Sequence, residues 1–138
     1  MTSERAAWLR QLRSANEIEE AALAAEYDAL WGAIGPTHRA WVERFLSLLP
    51  AGGRVLDAAC GTGKYVGVVL ESGRSIVAVD HTAAYLAKVR EKYPDAATEK
   101  HDLQDLPYRD AFDGVMCVDA MEFVPPEEWP VVLGGFRR

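Results

Sequence analysis

A chain of 138 residues is long enough for one globular domain around a single core and short for two. Its apolar fraction of 49% and charged fraction of 26% match an ordinary packed protein and exclude disordered, fibrous and membrane-embedded classes. The net charge of −6, with no run of Lys and Arg to override it locally, repels polyphosphates and excludes nucleic acid from the expected partners. Charge within Met1 to Arg5 fails the secretory-signal pattern, and no apolar run approaches the ~18 residues a membrane span needs. A cytoplasmic location with no membrane partner is expected. Cys60 and Cys117 form no CxxC pair and have no histidine at ligand spacing, so both are expected as plain thiols and no metal site is expected.

The chain divides at Pro50 to Gly53 into a helical segment, 1–50, and a region of alternating strand and helix, 51–138. Asn16 with Glu19 three residues on has the spacing of a capping box and predicts a helix start, with Ile18, Ala22, Ala25 and Leu30 along its apolar side. A further helix is predicted from Pro36-Thr37, presenting Trp41, Phe45, Leu48 and Leu49, and stopped by Pro50 and two glycines. Then come a strand at 54–59, a helix at 64–71 closed by Ser72-Gly73, and a strand at 75–80. Thr82 is placed to cap the next helix, which carries Tyr85, Leu86 and Val89 and ends before Pro94. A weak strand at 97–101, a strong one at 112–118 and a helix at 126–136 complete the chain.

Near-continuous apolar strands separated by helices predict an α/β fold: a Rossmann-like parallel sheet of about four strands, helices on both faces, preceded by N-terminal helices. Ligands in such sheets bind beyond the carboxyl ends of the strands. The residues at those ends are therefore the candidates.

At the first end, Val55 to Tyr65 runs from a strand through a turn of small residues into a helix. Glycine at 61 and 63 lets a ligand approach the backbone, and the following helix start offers unpaired N–H groups. Phosphate-binding motifs fit poorly. A dinucleotide fingerprint wants glycine where Val66 stands, and a P-loop wants glycine at Ala58 and a hydroxyl residue at Tyr65. Asp57 just before the turn would repel a pyrophosphate and suits a cationic ligand. Asp80 ends the second strand seventeen residues beyond Gly63, where a carboxylate can accept hydrogen bonds from both ribose hydroxyls. Asp102 is placed to receive an exocyclic amine, and Leu103 to offer its N–H to a ring.

These pieces, in this order and spacing from about Pro50 onward, resemble the class I S-adenosylmethionine-dependent methyltransferases, especially the small-molecule group with a motif like LDxxCGTG. The resemblance implies S-adenosylmethionine as cofactor and S-adenosylhomocysteine as product. It implies that Asp57, Ala58, Ala59, Gly61 and Gly63 hold the amino-acid part, that Asp80 with His81 holds the ribose, and that Asp102 and Leu103 contact adenine. Cys117 to Met121 would lie beside the methyl group, and 1–50 would form a lid on the substrate side, with Tyr27 and Trp31 either facing the site or packing the helix. Ala59 stands where the family often has glycine, a mild change. The family's sheet has seven strands, and its C-terminal ones are not present here. An open fourth-strand edge would favour self-association or mark a truncated product.

The expected function is methyl transfer to a small-molecule acceptor. A non-catalytic cofactor-binding fragment is the alternative, and a nicotinamide-dependent oxidoreductase is disfavoured by Val66 and Asp57. A base is needed only if the acceptor must lose a proton; His38, His81, His101, Asp119 and Glu122 are candidates, and no catalytic residue is assigned.

Overall fold

The computed structural model describes residues 1–138. Three helices come first: α1 (Ser3–Leu23), α2 (Tyr27–Trp31) and α3 (Pro36–Ser47). Strand and helix then alternate as β1 (Arg54–Ala58), α4 (Val66–Glu71), β2 (Ser75–Asp80), α5 (Ala83–Lys92), β3 (Ala97–Lys100), β4 (Gly114–Met116) and α6 (Trp129–Arg137). The four strands form one parallel sheet in the order β3-β2-β1-β4. The architecture is the Rossmann-like one expected, with the order reversing at β1.

Alternation along β1 and β2 divides the interior into two layers. Val55, Ile76 and Ala78 face one side, where Val42 and Leu46 of α3, Val66 and Val69 of α4, and Leu86 and Val89 of α5 close the larger core. Leu56, Ala58, Val77 and Val79 face the other, covered by Leu106 and by the partly buried Leu103, Phe112 and Phe136. The second layer is thinner, because only α6 and the 103–112 loop lie on it.

The first helix begins at Ser3, not at Asn16. Thr2 is its cap, accepting a hydrogen bond from the Arg5 N–H, and the Asn16/Glu19 spacing falls inside the helix. The predicted apolar side is also displaced: Ile18 and Leu30 are exposed, and the buried residues are Leu9 and Ala24. In α3 the core-facing residues are Val42 and Leu46; Trp41 and Leu48 point outward, while Phe45 and Leu49 pack at the margin. A shift of one position turns a helix by about 100°, so the buried face lies a little over a quarter turn from the expected one and the two share a margin at Phe45 and Leu49. Strand β4 has only three paired residues of the seven expected, because β1 offers partners only at Val55, Leu56 and Asp57.

The turn after β1 is one of three places where a residue other than glycine is left-handed, with Asp110 and Asp119 the others. Gly61 and Gly63 have φ of 56° and 87°, which glycine adopts without cost, but Ala59 has φ of 61°. A Cβ in the left-handed region costs on the order of 1–2 kcal/mol, partly offset by the lower unfolded-state entropy of alanine. Ala59→Gly is therefore expected to raise stability by about 0.5–1 kcal/mol, read as a higher urea midpoint at unchanged m-value. A lower midpoint would contradict the strain at this position.

Candidate functional site

A cleft of about 430 Å³ opens beyond the carboxyl ends of β1, β2 and β4, the size range of small-ligand sites. Its floor is the first turn, with Asp57, Ala59 and Gly61; its sides are Asp80 and His81 after β2, His101 and Leu103 after β3, and Val118 to Ala120 after β4. Its roof comes from the N-terminal helices through Leu23, Tyr27 and Trp31.

The two strand-end carboxylates define the electrostatics. Asp57 is 1% exposed, and its Oδ2 has no hydrogen-bond partner. Burial, together with the negative charge of Asp80, raises its carboxyl to about 7. The folded chain therefore favours protonated Asp57, a contribution to stability present below the ordinary carboxylate range and lost as pH rises through about 7. Asp80 is also buried, but its oxygens are engaged: Oδ2 accepts from the Gly61 N–H at 2.9 Å, and Oδ1 from the Thr82 N–H at 2.8 Å. Burial still wins, and Asp80 sits above the usual range. Each engaged oxygen keeps a further lone pair for a ligand.

His81 is flanked on both ring nitrogens. Its Nδ1 lies 3.6 Å from Asp102 Oδ1 and its Nε2 hydrogen-bonds Glu20 of α1. Asp102 first, then Glu20, pushes the imidazole up to about 10, so it is a cation at neutral pH. Glu20 also accepts from the Thr82 hydroxyl at 2.6 Å; burial alone would raise Glu20, and these two hydrogen bonds outweigh it. Thr82 thus stands at the cap position of α5 but spends its hydroxyl on α1, leaving α5 without a side-chain cap, and Asp80 accepts from the N–H of Thr82 itself.

Comparable bridges pin the rest of the roof. Asp28 of α2 accepts from the Thr62 hydroxyl and pairs with Lys92, Glu17 pairs with Lys100, and Arg13 pairs with Glu128. The α1 helix buries only Leu9, so polar contacts supply much of its attachment. Tyr27 lines the cleft and packs on Tyr85 and Trp31 at ring-centroid distances of 5.1 and 5.3 Å, which joins the two alternatives posed for it.

Of the residues expected to hold the cofactor, Asp57, Ala59, Gly61, Asp80, His81 and Leu103 line the cleft, as do His101, Asp119 and Glu122 among the acid–base candidates. Ala58, Gly63, Asp102 and Cys117 are not on its lining, and neither is His38. Ala58 is fully buried in the thinner layer, and Cys117 packs against that same layer. Gly63 backs onto α5, where a Cβ would come within 3.0 Å of a Val89 methyl. Asp102 is held by His81 and lies 3.9 Å from Arg13. Both cysteines are free, and burial keeps both thiols protonated. The sequence reading missed Glu20 and Thr62, whose partners lie 61 and 34 residues away. Tyr65, also on the cleft wall, was not expected there; the aromatic soon after the glycine turn was the signal that could have pointed to it.

Residues 55–138 match a family model described as a methyltransferase domain. The malonyl-[acyl-carrier protein] O-methyltransferase of Pectobacterium atrosepticum is 39% identical over 102 residues, which cover 70% of this chain and 38% of that protein. A tRNA (carboxymethyluridine(34)-5-O)-methyltransferase of Arabidopsis thaliana is 33% identical over 123 residues, covering 86% and 30%. Among solved structures, the DhpI-SAM-HEP complex superposes with a TM-score of 0.69 at 26% identity, over 91% of this chain and 59% of that one. The chain spans between 30% and 49% of the lengths of the curated relatives it matches.

If polar bridges hold the roof, Glu20→Ala frees α1 from the β2–α5 turn. Hydrogen exchange is expected to accelerate about tenfold or more within α1 while β1 and β2 keep their protection, matching a loss of roughly 1–3 kcal/mol for the two hydrogen bonds. Unchanged exchange in α1 would show that apolar packing suffices.

Proposed function

Because the chain belongs to the class I S-adenosylmethionine-dependent methyltransferases, we propose that its cleft binds S-adenosylmethionine and directs methyl transfer to a small-molecule acceptor, leaving S-adenosylhomocysteine. The observation that carries the reading is Asp57: a carboxylate oxygen buried without a partner at the edge of a ligand-sized cleft. An unpaired buried charge costs several kcal/mol, which an entering ammonium would recover. The cofactor's amino-acid end is such a group.

The remaining residues divide the work along the cleft. Gly61, bare of side chain, lets the amino-acid part lie against the main chain. Asp80 accepts from the ribose hydroxyls on its spare lone pairs while the Gly61 and Thr82 N–H groups hold it in place. Leu103 faces the adenine end, and Asp102, which stands off the cleft lining, holds the His81 ring in place beside it. Gly63, Ala58 and Cys117 shape the turn and the sheet end from behind. The cofactor supplies a methyl group activated on a sulfonium, and the chain's part is to orient it and exclude water.

A small acceptor fits better than RNA, although one relative is a tRNA methyltransferase. The net charge is −6, and Asp119 and Glu122 stand on the cleft wall where a phosphate backbone would have to approach. A cytoplasmic location and association of copies along the outer edge of β4 belong to the same proposal.

Isothermal titration with S-adenosylhomocysteine tests the reading. Asp80→Asn is expected to weaken affinity tenfold or more, the scale of a lost charge-assisted hydrogen bond. Ionised Asp57 binds an ammonium and protonated Asp57 does not, so affinity should rise with pH by about tenfold per unit up to about 7, then level. Asp57→Asn should flatten that profile. Radiolabelled methyl transfer separates an enzyme from a binding fragment, and NADH binding without S-adenosylhomocysteine binding would overturn the assignment.

A further inference from the structure

Five residues were candidates for a proton acceptor, and their surroundings separate them. His81 is locked as a cation between Asp102 and Glu20. His101 Nε2 lies 3.2 Å from Glu99 at the end of β3, beside Leu103 and so on the adenine side. His38 of α3 is different. Its Nδ1 is 2.9 Å from the Tyr65 hydroxyl and 3.9 Å from Asp119 Oδ2. Tyr65 is buried, and both Tyr65 and Asp119 line the cleft. The His38 side chain is 45% exposed, so it lies on the solvent side of Tyr65. Burial first, then the charge of Asp119, keeps the phenol protonated at neutral pH. Asp119 itself holds a left-handed backbone, φ 51°, at the end of β4.

We propose that Tyr65 and His38 form a proton relay leading from the cleft to solvent, and that the acceptor is therefore a protic nucleophile, a hydroxyl or an amine. The inference rests on the methyl-transfer reading above and assigns the site its acceptor chemistry. The acceptor's lone pair forms the bond to the methyl carbon as the carbon–sulfur bond breaks, its electron pair passing to sulfur. The acceptor's proton moves to the Tyr65 oxygen while the Tyr65 proton moves to His38 Nδ1. The charge lost from the sulfonium thus reappears on the imidazolium, beside Asp119. Tyr65 touches the acceptor, and His38 acts through Tyr65.

A carboxylate acceptor fits this wall poorly. It has no proton to give at neutral pH, and Asp57, Asp119 and Glu122 line the cleft beside Lys64, while the other two cations of the lining, Arg13 and His81, are already paired with Glu128, Glu20 and Asp102. The chain would then differ in acceptor from its malonyl-directed relative.

The test uses the chain with radiolabelled S-adenosylmethionine and three probes: phenol, benzylamine and hexanoate. Label is expected in phenol or benzylamine and not in hexanoate. His38→Ala should slow transfer on the order of a hundredfold at unchanged S-adenosylhomocysteine affinity, the usual worth of a positioned proton acceptor. Added imidazole should restore most of that rate, which a structural defect would not permit. Independently of turnover, Tyr65→Phe should move the His38 Nδ1 resonance in the nitrogen spectrum of the cofactor-free chain.

Label in hexanoate alone, no label in any probe while S-adenosylhomocysteine binds, undiminished His38→Ala, or no rescue would each overturn the relay. A stationary Nδ1 resonance would overturn it without reference to the cofactor. Failure to bind S-adenosylhomocysteine would instead bring down the reading beneath it.

Discussion

Two carboxylates buried side by side at the tips of adjacent parallel strands set the terms for the rest of this structure. In-register pairing of β1 with β2 brings Asp57 opposite Ala78 and carries Asp80 to the neighbouring tip. Neither group is free to swing into water, since they are 1% and 6% exposed. Two like charges in such a place cannot both ionise cheaply. The fold resolves the conflict unevenly. Asp80 receives two backbone N–H groups, Asp57 keeps an oxygen with no partner, and the proton accordingly resides on Asp57 more than on Asp80.

The same imbalance accounts for the turn and the roof. Holding the Gly61 N–H toward Asp80 requires the chain to leave β1 through left-handed residues at Ala59, Gly61 and Gly63, one of which carries a strained Cβ. Closing the cleft then falls to an N-terminal helix that buries little apolar surface. It is secured instead by ion pairs and hydrogen bonds to the β2–α5 turn, to β3 and to the 126–128 turn. His81 is the hinge of that arrangement, a cation between Glu20 of the roof and Asp102 of the wall. A roof fastened by polar contacts at its rim leaves Tyr27 and Trp31 on the cleft lining.

Strands β1 and β2 were legible in the sequence because their apolar runs are continuous and their ends are punctuated, whereas β3, Ala-Thr-Glu-Lys, has no such run. Ser72-Gly73 closes α4 and Pro94 follows α5, as composition alone implies, and β2 occupies 75–80 as expected. The strand-end acids were legible for the same reason, since a charge ending an apolar run has few places to go. The N-terminal third was not. Asn16 and Glu19 mimic a capping box within a helix whose true cap, Thr2, lies at the chain's start. In α3, Trp41 and Leu48 look like core residues by hydropathy, yet the sheet receives Val42 and Leu46. Amphipathic periodicity is weak where a helix is attached through polar groups, so the facing residues are set by partners distant in sequence. The relation of His38 to Tyr65 was beyond reach for that reason as well, because it depends on how α3 crosses the start of α4.

Asp57 holds a buried oxygen open for a cation. Carbon-13 NMR of the labelled Asp57 carboxyl, titrated with and without S-adenosylhomocysteine, measures that directly. The free chain should titrate near 7, and the bound form should fall by two units or more as the ligand's ammonium takes the open oxygen. A free carboxyl titrating near its ordinary 3.8, or one that the ligand leaves unmoved, would contradict it.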